Sequence, residues 1–179
     1  MSNFYKILFI ITSLILLSTS VWAAVDTKIK FDGQTYNLSN PETKTEKFVY
    51  LLKDENIGNW HTQIYSEFMN NSQNATEAAA EFAYRIQKEN PQAVVLLYPE
   101  AATLGYITFP TDKKFYTYNC MVFKSENNGV KKLGYSKRFY ASSNGGENGA
   151  RTAAILFAEK NNKKYMEMIN KLAKNSYCR

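Results

Sequence analysis

One histidine, two cysteines and a scatter of acids are the first residues of this 179-residue chain to weigh for covalent or acid–base chemistry. With His61 alone, and no His/Cys/Asp/Glu cluster at ligand spacing, neither a metal site nor a cofactor is expected. A serine hydrolase needs a nucleophile, a base and an orienting group. The run Gly134-Tyr135-Ser136 lacks the second glycine of a nucleophile elbow, and His61 would have to be its base. Gly145-Gly146 and Gly149 precede a helix, and a helix N-terminus can bind an anion. Their spacing is wrong for a dinucleotide fingerprint, so they read as a flexible linker. A glycosidase asks only for two carboxylates. Glu55, Glu100 and Asp112 fall near strand ends and are the candidates for a small carboxylate hydrolase. Acids in loops are usually just solvated, so the sequence favours a protein that is not an enzyme.

Binding is the stronger theme. Tyrosine occurs 13 times, and Tyr98, Tyr106, Tyr116, Tyr118, Tyr135 and Tyr140 lie in strand-like runs. Sheet propensity and core packing account for most such residues. Lys132, Arg138 and Tyr140 alternate along one run, which places them on one face of a strand. Tyrosine and arginine are enriched in binding hot spots. With Tyr116 or Tyr118 beside them, these three residues would make a partner-binding sheet face.

The elements that must carry them follow from period and punctuation. Thr27–Phe31, Asp32-Gly33 and Gln34–Leu38 form a hairpin with a primed turn. Glu46–Lys53 alternates, and Asp54–Asn59 is rich in turn formers. Trp60–Phe68 fits either a helix or a strand, and pairing with Glu46–Lys53 favours the strand. Thr76–Glu89 is a helix, with Asn74 as its cap and Glu77 completing a capping box. Ala93–Tyr98 is apolar throughout, as expected of a central strand. Leu104–Phe109 is the next strand, followed by Phe115–Lys124 and Val130–Ala141 about a turn at Glu126-Asn127-Asn128-Gly129. In the last of these, alternation predicts one buried and one wetter face. After a Ser142–Gly149 loop, a helix spans about Ala150–Lys174, with Ala154, Ile155, Ala158, Tyr165, Ile169 and Leu172 as its stripe. The expected fold class is α+β, an antiparallel sheet of hairpins with two main helices packed on it.

Residues 1–23 read as a cleavable signal peptide. Lys6 is followed by an apolar run from Ile7 to Leu17, a polar Ser18-Thr19-Ser20 segment, and Val21-Trp22-Ala23 ahead of the cut. Thr12, Ser13 and the later serines interrupt the run, which disfavours a retained spanning helix. Cleavage leaves a single domain, residues 24–179, of ordinary size and 45% apolar composition across the whole chain. Such a protein is periplasmic or secreted, and it meets the membrane only through its leader. In that oxidising setting Cys120 and Cys178 read as a disulfide rather than as a nucleophile served by His61. The net charge of +6 comes from scattered lysines, with no arginine-rich run, and export disfavours nucleic acid as a partner.

The order of elements, with Asp54-Glu55 followed by Asn59-Trp60, resembles small exported bacterial envelope proteins with a PsbP-like layered sandwich. That resemblance implies a binding or assembly role rather than catalysis. It implies nothing photosynthetic, because no photosystem motif is present. The sequence thus leads to an exported, non-enzymatic protein that binds a protein or envelope component, with inhibitor or immunity protein as a specific version. A carboxylate hydrolase and an accessory subunit of an envelope secretion or transport machine are the alternatives. The identity of the partner and the oligomeric state stay open.

Overall fold

A computed structural model describes residues 26–39, 47–109 and 111–175. The expected signal peptide and Cys178 lie outside the described residues. The first hairpin is β1 (Lys28–Phe31) and β2 (Gln34–Leu38). Its turn has Asp32 and Gly33 both at positive φ, 47° and 74°, the geometry that Asp-Gly supplies with least strain. Next come β3 (Lys47–Leu51) and β4 (Thr62–Met69), so the ambiguous Trp60–Phe68 segment is largely strand. Helix α1 (Ala75–Glu89) begins at Asn74, whose side chain accepts the backbone N–H of Thr76 and Glu77. Strands β5 (Val94–Tyr98) and β6 (Thr103–Thr108) flank a short 3-10 turn at Pro99–Ala101. The long strands β7 (Phe115–Glu126) and β8 (Gly129–Tyr140) form a hairpin, and helix α2 (Glu147–Lys174) completes the order.

The strands make one antiparallel sheet in the order β1-β2-β3-β4-β8-β7-β6-β5. The fold is α+β, as the hairpins and the two helical stripes imply. Alternation along each strand divides the interior into two cores. Tyr116, Tyr118, Cys120 and Val122 of β7 join Leu133 and Tyr135 of β8 beneath α2. Met121 and Phe123 join Tyr65, Leu104, Tyr106 and Val130 beneath α1, where Ala78, Ala79 and Ala83 let helix and sheet approach closely. The sheet is therefore sandwiched between two helices.

Two expectations change here. The strand Ala93–Tyr98 is not central: β5 is the last strand of the sheet. Its uniform apolarity has a different cause, because Val95 and Leu97 lie under α1 while Val94, Leu96 and Tyr98 stay exposed. Nor does β8 have one wet face. Val130 and Lys132 to Ser136 are all buried, since each face of the strand is roofed by a helix.

Candidate functional site

The best-organised polar cluster lies where β8 ends and β4 begins. The register that starts at Glu126↔Gly129 runs through the whole β7–β8 hairpin and sets Phe115 opposite Tyr140 and Thr117 opposite Arg138. Phe115, Arg138 and Tyr140 thus share one face. The β3–β4 connection brings the rest. Asn56 accepts the N–H groups of Gly58 and Asn59 through Oδ1, a tight turn that aims Trp60 back at the sheet. The backbone N–H of Arg138 then donates to the His61 carbonyl at 2.8 Å.

Arg138 is the centre of the cluster. Its guanidinium carbon stands 3.8 Å from the Trp60 ring centroid and 4.1 Å from that of Phe115. A cation held between two aromatic faces is attracted by both ring quadrupoles. Tyr140 pins the arrangement: its hydroxyl donates to the Trp60 carbonyl at 2.8 Å and receives Arg138 Nη1 at 3.4 Å. Beside it, Glu55 Oε1 accepts the His61 backbone N–H at 2.7 Å and lies 3.2 Å from His61 Nδ1. The His61 ring meets Tyr140 edge-on at 5.2 Å. Trp60 is buried, whereas the His61 side chain is 63% exposed and Arg138 is half-buried. Glu55 Oε2 and Arg138 Nε are buried without a hydrogen-bond partner, a state that costs free energy and calls for a reason.

The three residues expected to form a binding face are only partly brought together. Lys132, Arg138 and Tyr140 do share the α1 face of β8, but six residues of extended strand separate Lys132 from Arg138 by about 20 Å. Lys132 is 5% exposed, ion-paired to Glu67 at 2.8 Å and 4.5 Å from the Phe82 ring of α1. Burial pulls its ammonium below the ordinary lysine range, against the opposing pull of Glu67. Tyr116 and Tyr118 point to the opposite face. Tyr118 donates to Asn162 of α2 at 2.9 Å and Tyr116 to Glu147 at 3.1 Å. Neither stands beside Arg138 on the sheet surface.

Glu100 stands apart from the other two candidate carboxylates. Glu55 and Asp112 belong to connections at the Phe115 end of the β7–β8 hairpin. Glu100 sits in the turn before Ala102, whose carbonyl accepts the Phe123 N–H. Eight strand residues, about 27 Å, separate those two ends of β7. Among the described residues no group of three or more His, Cys, Asp or Glu could hold a metal ion. Ser136 Oγ donates to Asn119 Oδ1 at 2.7 Å and is 1% exposed, so it is spent on an internal hydrogen bond. Cys120 is wholly buried beneath α2, and burial pushes its thiol up to about 12, far from a thiolate nucleophile.

Two partners of Arg138 escaped sequence reasoning, Trp60 and Phe115. Phe115 was within reach, because counting back from the two-residue turn at Asn127-Asn128 gives the register that puts it beside Tyr140. Trp60 comes from another hairpin, and only the β4–β8 pairing joins it to Arg138.

A model of an uncharacterised protein family matches residues 23–175. The chain belongs to that family. No curated protein and no solved structure matches it. The matched span takes in every strand and helix described above, and with them the Trp60–Phe115–Arg138–Tyr140 cluster.

Proposed function

We propose that the chain is an exported, non-enzymatic binding protein of the bacterial cell envelope, and that it recognises a protein or envelope component at the Arg138 cluster. The observation that carries this reading is the clamp itself. A guanidinium fixed between Trp60 and Phe115, with Tyr140 and the exposed His61 at its rim, presents hot-spot residue types in a preset geometry. Buried polar atoms left unpaired at Glu55 and Arg138 fit a surface completed by a partner. Lys132, expected on the same patch, belongs to the interior and drops out of the reading. Glu55 is engaged by His61, Asp112 is engaged by Lys114, and Glu100 stands at the other end of β7, an arrangement that favours binding over hydrolysis. No helix among the described residues is long and apolar enough to cross a membrane. The family match begins one residue before the cut expected after Ala23, which supports a removable leader ahead of the domain. The finer readings, a PsbP-like sandwich and an inhibitor, immunity or accessory role, rest on the order of elements and on that leader.

Affinity capture from envelope extract tests the assignment, with unaltered protein, Arg138→Lys and Arg138→Glu as baits. Both variants are expected to fold, and Arg138→Glu to lose a partner that the unaltered chain retains. Arg138→Lys should bind weakly, since an ammonium cannot stack as a planar guanidinium does. An identical partner set on all three folded baits would refute the site.

A further inference from the structure

The two edges of the sheet are unlike. Strand β1 turns Lys28 and Lys30 outward, and lysine on an edge discourages another strand from pairing there. Strand β5 has no such guard. Its sequence is Val-Val-Leu-Leu-Tyr, with neither charge nor proline between Val94 and Tyr98. Val94, Leu96 and Tyr98 are 54, 47 and 46% exposed on the side of α2, while Val95 and Leu97 lie partly buried against α1. An apolar edge of this kind carries a row of outward backbone groups and an apolar stripe together, which is a template for strand addition. Next to it, between Tyr98, Thr103 and Met166, opens a cavity of about 320 Å³ rimmed by Lys163 and Glu167.

We propose that β5 is a homotypic interface, at which a second copy of the chain pairs antiparallel about a two-fold axis through Leu96. In that register Leu96 meets Leu96 of the second copy, Val94 meets its Tyr98 and Val95 meets its Leu97. Every cross-strand pair is apolar, and none sets like charges opposite one another. The cavity rim suits a twin as well. The chain is basic overall, at +6, but this rim carries one lysine and one glutamate, so it has no excess of one sign to repel a second copy. The edge lies three strands from β8, so the proposal does not rest on the Arg138 reading. A five-residue edge buries less than the roughly 800 Å² per partner of a standard interface, so the dimer is weak and concentration-dependent.

A charge exchange on the axis tests it. Sedimentation of the protein as the cell makes it, from about 1 µM to about 1 mM, is expected to show the mass rising toward twice that of the monomer. Leu96→Lys and Leu96→Glu each place like charges on the axis and should weaken association by about tenfold or more. An equimolar mixture of the two variants should restore it, because lysine then faces glutamate. A monomer throughout the range, association unchanged in both variants, or a mixture no better than either alone would overturn the proposal. If either variant loses its fold by circular dichroism, hydrogen exchange of unaltered residues 94–98 at low and high concentration decides. Protection that rises with concentration supports the dimer, and unchanged protection refutes it.

Discussion

Gly134→Ala is the change that most directly tests the packing behind the candidate site. Gly134 lies in the middle of β8, directly opposite Tyr65 of β4. A glycine inside a strand weakens it, so alanine there should stabilise by roughly 0.5–1 kcal/mol if nothing stood in the way. Something does. A Cβ at Gly134 would lie 2.6 Å from Tyr65 Cε1, and closer still to Cζ and the hydroxyl. Tyr65 is 8% exposed and roofs its glycine partner as part of the α1 core. Its hydroxyl points at Met121 Sδ, 3.8 Å away, and Lys47 and Lys132 each stand 5.9 Å from its ring. These contacts leave the ring little freedom to retreat. Overpacking in a filled core costs about 1–3 kcal/mol. Three Tyr65 atoms this close call for the upper part of that range, about 2–3 kcal/mol, so the net loss after the propensity gain should be about 1–2.5 kcal/mol. Urea unfolding of Gly134→Ala, Tyr65→Leu and the double variant measures it. Tyr65→Leu removes the obstructing ring, so the double variant should be more stable than the sum of the single losses predicts, by about 1 kcal/mol or more. A Gly134→Ala protein as stable as its parent, or strictly additive variants, would mean that the Tyr65 ring does not cover Gly134 in solution.

Two further predictions concern titration and thiols. Burial raises the hydroxyls of Tyr65, Tyr106, Tyr118, Tyr135 and Tyr165 above the ordinary tyrosine value of 10.0. The unfolded chain therefore releases these protons first. Their contribution to stability is intact below pH 10 and is lost as pH rises above it. Lys132 acts in the opposite sense, because its lowered value lets stability rise with pH up to about 10.5. Ultraviolet titration should show these five tyrosines ionising together with a cooperative loss of circular dichroism; their smooth ionisation near pH 10 in a folded protein would refute the burial. Mass and thiol analysis of the isolated protein tests the export reading. The expected chain begins at Ala24, and a Cys120–Cys178 bridge, which the export reading proposes, would leave no thiol to take up an alkylating agent when the protein is unfolded without reductant. An intact Met1, or labelling at both cysteines, would sink it.

What the sequence disclosed, and what it withheld, follows from the range of the interactions. The Asp32-Gly33 turn, the Asn74 cap and the strand alternation are set within a few residues, and each stands where its local signal put it. The edge position of β5 is hidden in the sequence because an apolar strand looks the same whether a helix roofs one face or both. The dry second face of β8 was hidden for the same reason, since Lys132 reads as a surface residue until Glu67 and Phe82 are seen around it. Of the site, Arg138 and Tyr140 were visible as alternating residues of a hot-spot type. Trp60, Phe115 and Glu55 converge on them only through pairing between segments far apart in the chain.

The same pairing explains why a cation can sit among rings at this end of the sheet. On the α1 face the helix does not extend over this end of β8, so the Phe115–Tyr140 end must close that face with side chains. An aliphatic residue at 138 would leave the Trp60 and Phe115 faces packed against a smaller neighbour and lose both cation–π contacts. Arginine fills the gap with a flat group whose Nη atoms still reach the rim, where Tyr140 takes one of them at 3.4 Å. Packing and recognition therefore make different demands on residue 138. A methionine could replace the volume but not the charge, so Arg138→Met should keep more of the fold than alanine does while abolishing any recognition that depends on the guanidinium. Loss of binding in a stable Arg138→Met protein would separate the two roles of the clamp, and retained binding would assign Arg138 to packing alone.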